Sequence, residues 1–181
     1  MPKALKAGFP TYWTHFGQGP RDALMIHCSL AHSGSWGGLA RHLSGALTMT
    51  AFDLPGHGRS ADWDDRAEIQ GLCVDIASEF LQKPADIIGH SFGATVALRL
   101  VVARPDLVRS LTLIEPVFFA VAFHDHPSGR AAFEARMADF NAAMQAGDFL
   151  SAARAFLSVW GDRADWEQLP ATVQNTSVRP R

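Results

Sequence analysis

Cysteine is scarce in this chain, limited to Cys28 and Cys73. Two thiols make neither a disulfide framework nor a cysteine-built metal site. Long hydrophobic runs are missing as well: the apolar stretches fall far short of a membrane span. The opening residues, Met1-Pro2-Lys3-Ala4-Leu5-Lys6, carry lysines with no apolar stretch behind them, so no signal peptide is read there. Neither sign of charge dominates, with 16 basic and 18 acidic residues spread along the chain. Without a basic stripe or an acidic tail, neither a nucleic acid nor a strongly basic partner is expected. Two phosphate-binding patterns are also absent. No Gly-x-Gly-x-x-Gly stands in register with an acidic strand end, and no Gly-Lys-Ser/Thr is present, which argues against a dinucleotide site and excludes a P-loop. The expectation is a cytoplasmic protein with no cofactor, no metal, no membrane association and a small molecule as its partner.

What is present suffices for one globular core: 181 residues, 48% of them apolar, including 12 Phe and 5 Trp. Short continuous apolar runs predict strands over 11–16, 23–27, 47–52, 87–88 and 110–114. Helical spacing follows most of them: Trp36, Leu39, Ala40 and Leu43 after the second, and Ile69, Leu72, Cys73, Ile76 and Phe80 within 66–81. Strands that are apolar throughout, alternating with helices, argue for an α/β fold with a mostly parallel sheet covered on both faces. After Phe119 the strands stop. Helical stripes follow, Phe133, Met137, Phe140 and Met144 over 131–144, then Phe149, Ala152, Ala153, Phe156, Leu157 and Trp160. The division expected is a core over 1–119, a helical lid over 120–170 and a tail over 171–181. The lid helices read equally as ordinary core helices.

One stretch organises the rest. Ile87-Ile88 runs into Gly89-His90-Ser91-Phe92-Gly93, and an apolar helical pattern begins at once. Gly-x-Ser-x-Gly between a strand and a helix is the sequence form of a nucleophile elbow, which lifts a serine hydroxyl above a sheet edge. The glycines are needed where a Cβ would strike neighbouring backbone. The amide of Phe92 opens the helix, where the positive end of the dipole favours a developing oxyanion. The competing reading is a glycine-rich turn whose serine merely caps the helix. Ligands of parallel sheets bind beyond the carboxyl ends of strands. There stand four marked stretches: 27–35, 53–60, 89–93 and Glu115-Pro116.

With those stretches in that order, the chain resembles the α/β-hydrolase superfamily over about residues 9–170. The resembling segments are His27 to Trp36, Asp53-Leu54-Pro55-Gly56-His57-Gly58-Arg59-Ser60, the Ser91 pentapeptide and Leu113-Ile114-Glu115-Pro116. The resemblance implies a hydrolase of an ester, lactone or similar small acyl substrate. Ser91 would be its nucleophile, and the amides of Phe92 and Ser29 its oxyanion hole, with Leu30 in place of Ser29 if the loop is shifted by one. Cys28 stands where the family usually has glycine. Glu115 is the candidate acid, or else a structural glutamate pinning the following loop. Leu30, Trp36 and His90 are assigned to substrate binding, although His90, at the elbow's first variable position, is turned from the nucleophile. The family takes its base from a late histidine, and none follows His126 here. His27 and His32 are read as structural groups of the oxyanion loop, His57 as fixing its turn, and His15 and His42 as surface or helix residues. His124 and His126 stand at the start of the lid. Relative to the family the chain looks shortened after the lid, lacking two strands and the base. A catalytically silent remnant or complementing fragment is therefore the alternative function. An uncovered edge beside 110–114 carries the expectation of lower stability or self-association.

Overall fold

The computed structural model describes residues 3–65, 67–161, 166–169 and 174. Two compact units divide the chain, the first running to Val117 and the second beginning at Phe118.

The first unit is an α/β layer structure around six strands: β1 (Lys3–Lys6), β2 (Phe9–Phe16), β3 (Arg21–Ile26), β4 (Leu47–Phe52), β5 (Ala85–His90) and β6 (Val108–Ile114). Their order across the sheet is β1-β2-β4-β3-β5-β6. The β1–β2 and β2–β4 pairs are antiparallel, and the other three are parallel. The helices are α1 (Gly37–Leu43), α2 (Ile69–Ser78) and α3 (Phe92–Ala103). Arg66, where the spacing opened its helix, lies outside the described residues.

Strand alternation explains the two cores. Successive side chains of a strand point to opposite faces. Leu24, Ile26, Phe52 and Ile87 therefore pack with Leu72, Ile76, Val96 and Leu100 of α2 and α3. Ala23, Met25, Met49, Ala51 and Ile88 face the other way, against Trp36 and Ala40. Each fully buried Leu, Ile or Phe contributes about 2 kcal/mol over its exposed state. The α2 helix starts where Glu68 accepts the amides of Gln70 and Gly71, both at 2.8 Å.

At the amino ends of the parallel strands, Asp86 is buried under a cationic clamp. Arg109 reaches it through Nε and Nη2 at 2.9 Å, Arg21 through Nη2 at 2.7 Å, and the Ser110 hydroxyl at 2.7 Å. The Arg109 guanidinium, aided by Arg21 and Ser110, holds the Asp86 carboxyl well below the usual carboxylate range despite its burial.

The second unit is helical among its described residues: α4 (Phe119–Asp125), α5 (Ser128–Arg136), α6 (Ala138–Gln145) and α7 (Phe149–Trp160). Phe119, Phe123, Phe133 and Trp160 form an aromatic cluster, with Phe119 and Phe133 centroids 4.6 Å apart. Asp148 caps α7, accepting the Ser151 amide at 3.0 Å and its hydroxyl at 2.6 Å. The stripe expected on one helix over 131–144 is carried by two, α5 and α6, which break at Met137 (φ −94°, ψ 3°). The expected tail over 171–181 lies outside the described residues apart from Gln174. No described helix is long and apolar enough to cross a membrane.

Candidate active site

The site begins with a forced bend. Between the last residue of β5 and the first of α3, Ser91 adopts φ 52°, ψ −117°, a region non-glycine residues rarely occupy. Its N–H donates to the Ile114 carbonyl at 2.9 Å, and its own carbonyl accepts from Ala94 and Thr95 at 3.0 and 3.3 Å. That carbonyl is thereby drawn into the helix. A Cβ on Gly89 would lie 2.4 Å from the Gly93 carbonyl oxygen, and one on Gly93 would lie 2.2 Å from that of Ile26. No side chain fits at either position. Ser91 occupies the cap position of α3, yet its hydroxyl makes no capping bond. Among the described residues it hydrogen-bonds to no other side chain. The Phe92 amide, first in a helix of 12 residues, has no intrahelical acceptor to occupy it.

The loop after β3 lies beside this bend, because Gly93 rests against the carbonyls of Ile26 and His27. Register agrees: Ile26 pairs with Gly89 and with Phe52, and His90 with Ile114. One residue further along, the loops of 27–36, 53–60, Ser91 and Glu115 all leave the same rim. The loop's kink falls at Leu30, φ 62°, and not at Cys28, which is why a side chain is accommodated where the family has glycine. Burial, with a further push from the Glu115 carboxylate, raises the Cys28 thiol above its ordinary pKa, outweighing a backbone hydrogen bond that lowers it.

Asp53 joins the two loops; the sequence marks the 53–60 stretch but assigns Asp53 no role of its own. It is buried to 1% exposure. Its Oδ1 accepts the Ser33 amide at 2.6 Å, its Oδ2 the Arg59 amide at 2.8 Å, and its carbonyl the Ser60 hydroxyl at 2.7 Å. An acidic residue at a strand end before a Pro-Gly turn is the signal that could have found it. His27 is also buried, with Nε2 3.0 Å from the Leu54 amide and Nδ1 2.8 Å from the Cys28 carbonyl.

Glu115 takes φ 47°, and its Oε2 lies 3.4 Å from His90 Nε2. Leu30, Ser91 and Glu115 are thus three strained residues just beyond the ends of three neighbouring strands. Such strain costs of order 1–3 kcal/mol each and gathers at functional sites.

Other assignments fall elsewhere. Trp36, expected to line the substrate side, is placed in the core at 7% exposure, packed with Met25, Met49 and Ile88. Its helical spacing with Ala40 turned it inward. His32 caps the turn of Ser33–Trp36 by accepting the Gly34 amide at 3.1 Å. His57 Nδ1 lies 2.8 Å from the Pro55 carbonyl. His15 Nδ1 lies 3.1 Å from the Thr50 hydroxyl, and His42 is in the last turn of α1. His124 is in α4 and His126 at its end, both in the second unit. Among the described residues no three His, Cys, Asp or Glu side chains converge to hold a metal ion.

Comparison with known proteins gives this geometry its family. The alpha/beta hydrolase family matches residues 23–179. A pimeloyl-[acyl-carrier protein] methyl ester esterase of Methylococcus capsulatus is 34% identical over 169 residues, which is 91% of this chain and 63% of that protein. Lipase LipV of Mycobacterium tuberculosis is 40% identical over 101 residues, 54% of this chain and 38% of the lipase. An α/β hydrolase structure from Sphaerobacter thermophilus shares the fold, with TM-score 0.67 and 18% identity over 97% of this chain and 69% of that one. The match thus spans between 38% and 63% of the length of these two curated relatives. The chain belongs to the alpha/beta hydrolase family.

Proposed function

We propose that the chain carries the acyl-transfer centre of a serine ester hydrolase. Ser91 Oγ attacks the carbonyl carbon of a small ester. The carbonyl electron pair moves onto oxygen, and the amides of Phe92 and Ser29 hold that oxyanion. Collapse expels the alkoxide, which takes up the proton given up by Ser91 Oγ and leaves as the alcohol; the acyl-serine that remains is hydrolysed by water to the acid and free serine. Glu115 is the acid of the rim, beside His90, and Leu30 borders the acyl group. The observation that supports this reading most is the bend itself: two glycines that admit no Cβ, flanking a serine held at φ 52° with an uncapped hydroxyl. The relatives named as lipase and methyl ester esterase support ester cleavage as the reaction class.

A second reading rests on a specific observation: no histidine among the described residues is hydrogen-bonded to Ser91. On that reading the centre binds ligand and waits for a base supplied from outside it. Turnover of p-nitrophenyl acetate and butyrate, with and without added imidazole, separates the two. A self-sufficient hydrolase turns over without imidazole, and Ser91→Ala lowers kcat by at least about a thousandfold. A base-less centre responds to imidazole in the parent chain beyond imidazole's own protein-free reaction with the ester, and Ser91→Ala does not. Equal rates for parent and Ser91→Ala under both conditions would overturn the proposal.

A further inference from the structure

The His27 ring makes two contacts whose donor and acceptor can be assigned without seeing a proton. The Leu54 backbone N–H can only donate, and it points at Nε2 from 3.0 Å. Nε2 is therefore bare, and the ring is neutral with its proton on Nδ1. That proton faces the Cys28 carbonyl 2.8 Å away, so Nδ1–H donates to it. The same carbonyl accepts the Ala31 amide at 3.3 Å.

The direction of this grip matters. Because its Nε2 meets Leu54, the imidazole lies on the β4 side of β3. The sheet order β4-β3-β5 puts Ser91 on the opposite side. The peptide joining Cys28 to Ser29 is planar and trans, as no cis bond occurs among the described residues, so its N–H runs antiparallel to its C=O. A carbonyl pulled toward β4 turns the Ser29 N–H toward β5 and the elbow. Gly93, pressed against the Ile26 and His27 carbonyls, keeps the two within reach.

We infer that His27, as the neutral Nδ1–H tautomer, is a positioning residue that holds the Cys28 carbonyl and thereby aims the Ser29 amide at the oxyanion of the Ser91 reaction. This rests on the proposed role of Ser91, and it adds a task for a residue buried to 1% exposure. Asp53 holds the far end of the same loop through Ser33. The amide is therefore fixed from both sides, and His27 sets its facing.

The two ring contacts can be separated chemically. An asparagine amide reaches the Nδ1 position and keeps the bond to Cys28. A glutamine amide reaches the Nε2 position and keeps the bond to Leu54. Fluorophosphonate labelling rates at Ser91, kcat and KM, and melting temperature would be measured for the full chain, His27→Asn and His27→Gln. The expected result is a ten- to hundredfold slower labelling and kcat for His27→Gln at nearly constant KM, since a lost oxyanion donor costs about that or more. His27→Asn stays within about threefold of the parent, even where its melting temperature falls as far as that of His27→Gln. Rates that follow melting temperature in both variants, or that change in neither, overturn the inference. Long-range proton–nitrogen NMR of the parent chain reads the tautomer directly and independently of activity. A proton on Nδ1 supports the inference and one on Nε2 overturns it. A parent chain that never labels at Ser91 is a different result. It removes the nucleophile, and the role of His27 falls with it.

Discussion

At the scale of single residues, the candidate site is held together by buried groups. Asp53 is buried and its side chain accepts two backbone amides, those of Ser33 and Arg59. Asp53→Ala leaves the Ser33 and Arg59 amides unsatisfied and is expected to cost about 3 kcal/mol, read from urea unfolding. Asp53→Asn keeps one acceptor and costs less. Cys28 yields a second prediction. Its raised thiol pKa keeps it protonated near neutrality, so it reacts with Ellman's reagent more slowly than free cysteine in the native chain. Cys73 is pushed up to about 12 by burial and reacts only on unfolding. At this scale the sequence was readable where a residue type has one use. The backbone bend at Ser91 is such a case, since Gly89 and Gly93 stand where a Cβ would strike backbone. It was unreadable where placement depends on distant partners: Trp36 has the same helical spacing whether it faces a pocket or Met25 and Met49. The pairing of His90 with Glu115 joins residues 25 positions apart, which no local pattern announces. Strain at Leu30 and Glu115 is equally silent, since neither residue type advertises a left-handed backbone.

At the scale of elements, the unit that matters is strand β5, the bend and helix α3. Its legibility came from physics that acts locally: β-branched residues, then Gly-x-Ser-x-Gly, then a proline-free apolar helix. Its closeness to the backbone of β3 makes the next prediction severe. Gly93→Ala places a methyl group 2.2 Å from the Ile26 carbonyl oxygen, and Gly89→Ala places one 2.4 Å from that of Gly93. In both cases the obstacle is backbone, which cannot step aside as a flexible side chain would. Each variant is expected to lose 3 kcal/mol or more, roughly the upper range for overpacking, or to fail to accumulate in soluble form. Elements governed by context were read less well. Lys3–Lys6 forms β1, but its exposed Lys-Ala-Leu-Lys pattern carries no buried face to reveal a strand. The interruption at Met137 has neither glycine nor proline to signal it, and the apolar spacing of Phe133, Met137, Phe140 and Met144 continues across the break.

For the whole molecule, the sheet is fastened at both ends of its parallel strands. The site occupies the carboxyl rim, while Asp86 with Arg21 and Arg109 ties β3, β5 and β6 at the other. The Asp86 carboxyl is depressed in the folded chain, so the folded state binds its proton less readily than the unfolded one. Its contribution is therefore full above the unfolded value of about 4 and declines as pH falls below that value. With both arginines partly exposed, Asp86→Asn is expected to cost about 2 kcal/mol at pH 7. That difference should shrink steadily below about pH 4 in a pH series of denaturation midpoints. A difference that grows on acidification would contradict the clamp. Fold class was readable from the alternation of buried strands with helices, because a sheet covered on both faces buries successive positions of its central strands, as at Ala23–Ile26 and Ile87–Gly89. The chemistry proposed for the rim depends on Ser91 more than on any other group. The direct test is intact-protein mass spectrometry after fluorophosphonate treatment, with the adduct mapped to its peptide. The account predicts one adduct per chain, on Ser91, absent from Ser91→Ala. An unlabelled parent chain, or an adduct that persists in Ser91→Ala, would contradict it.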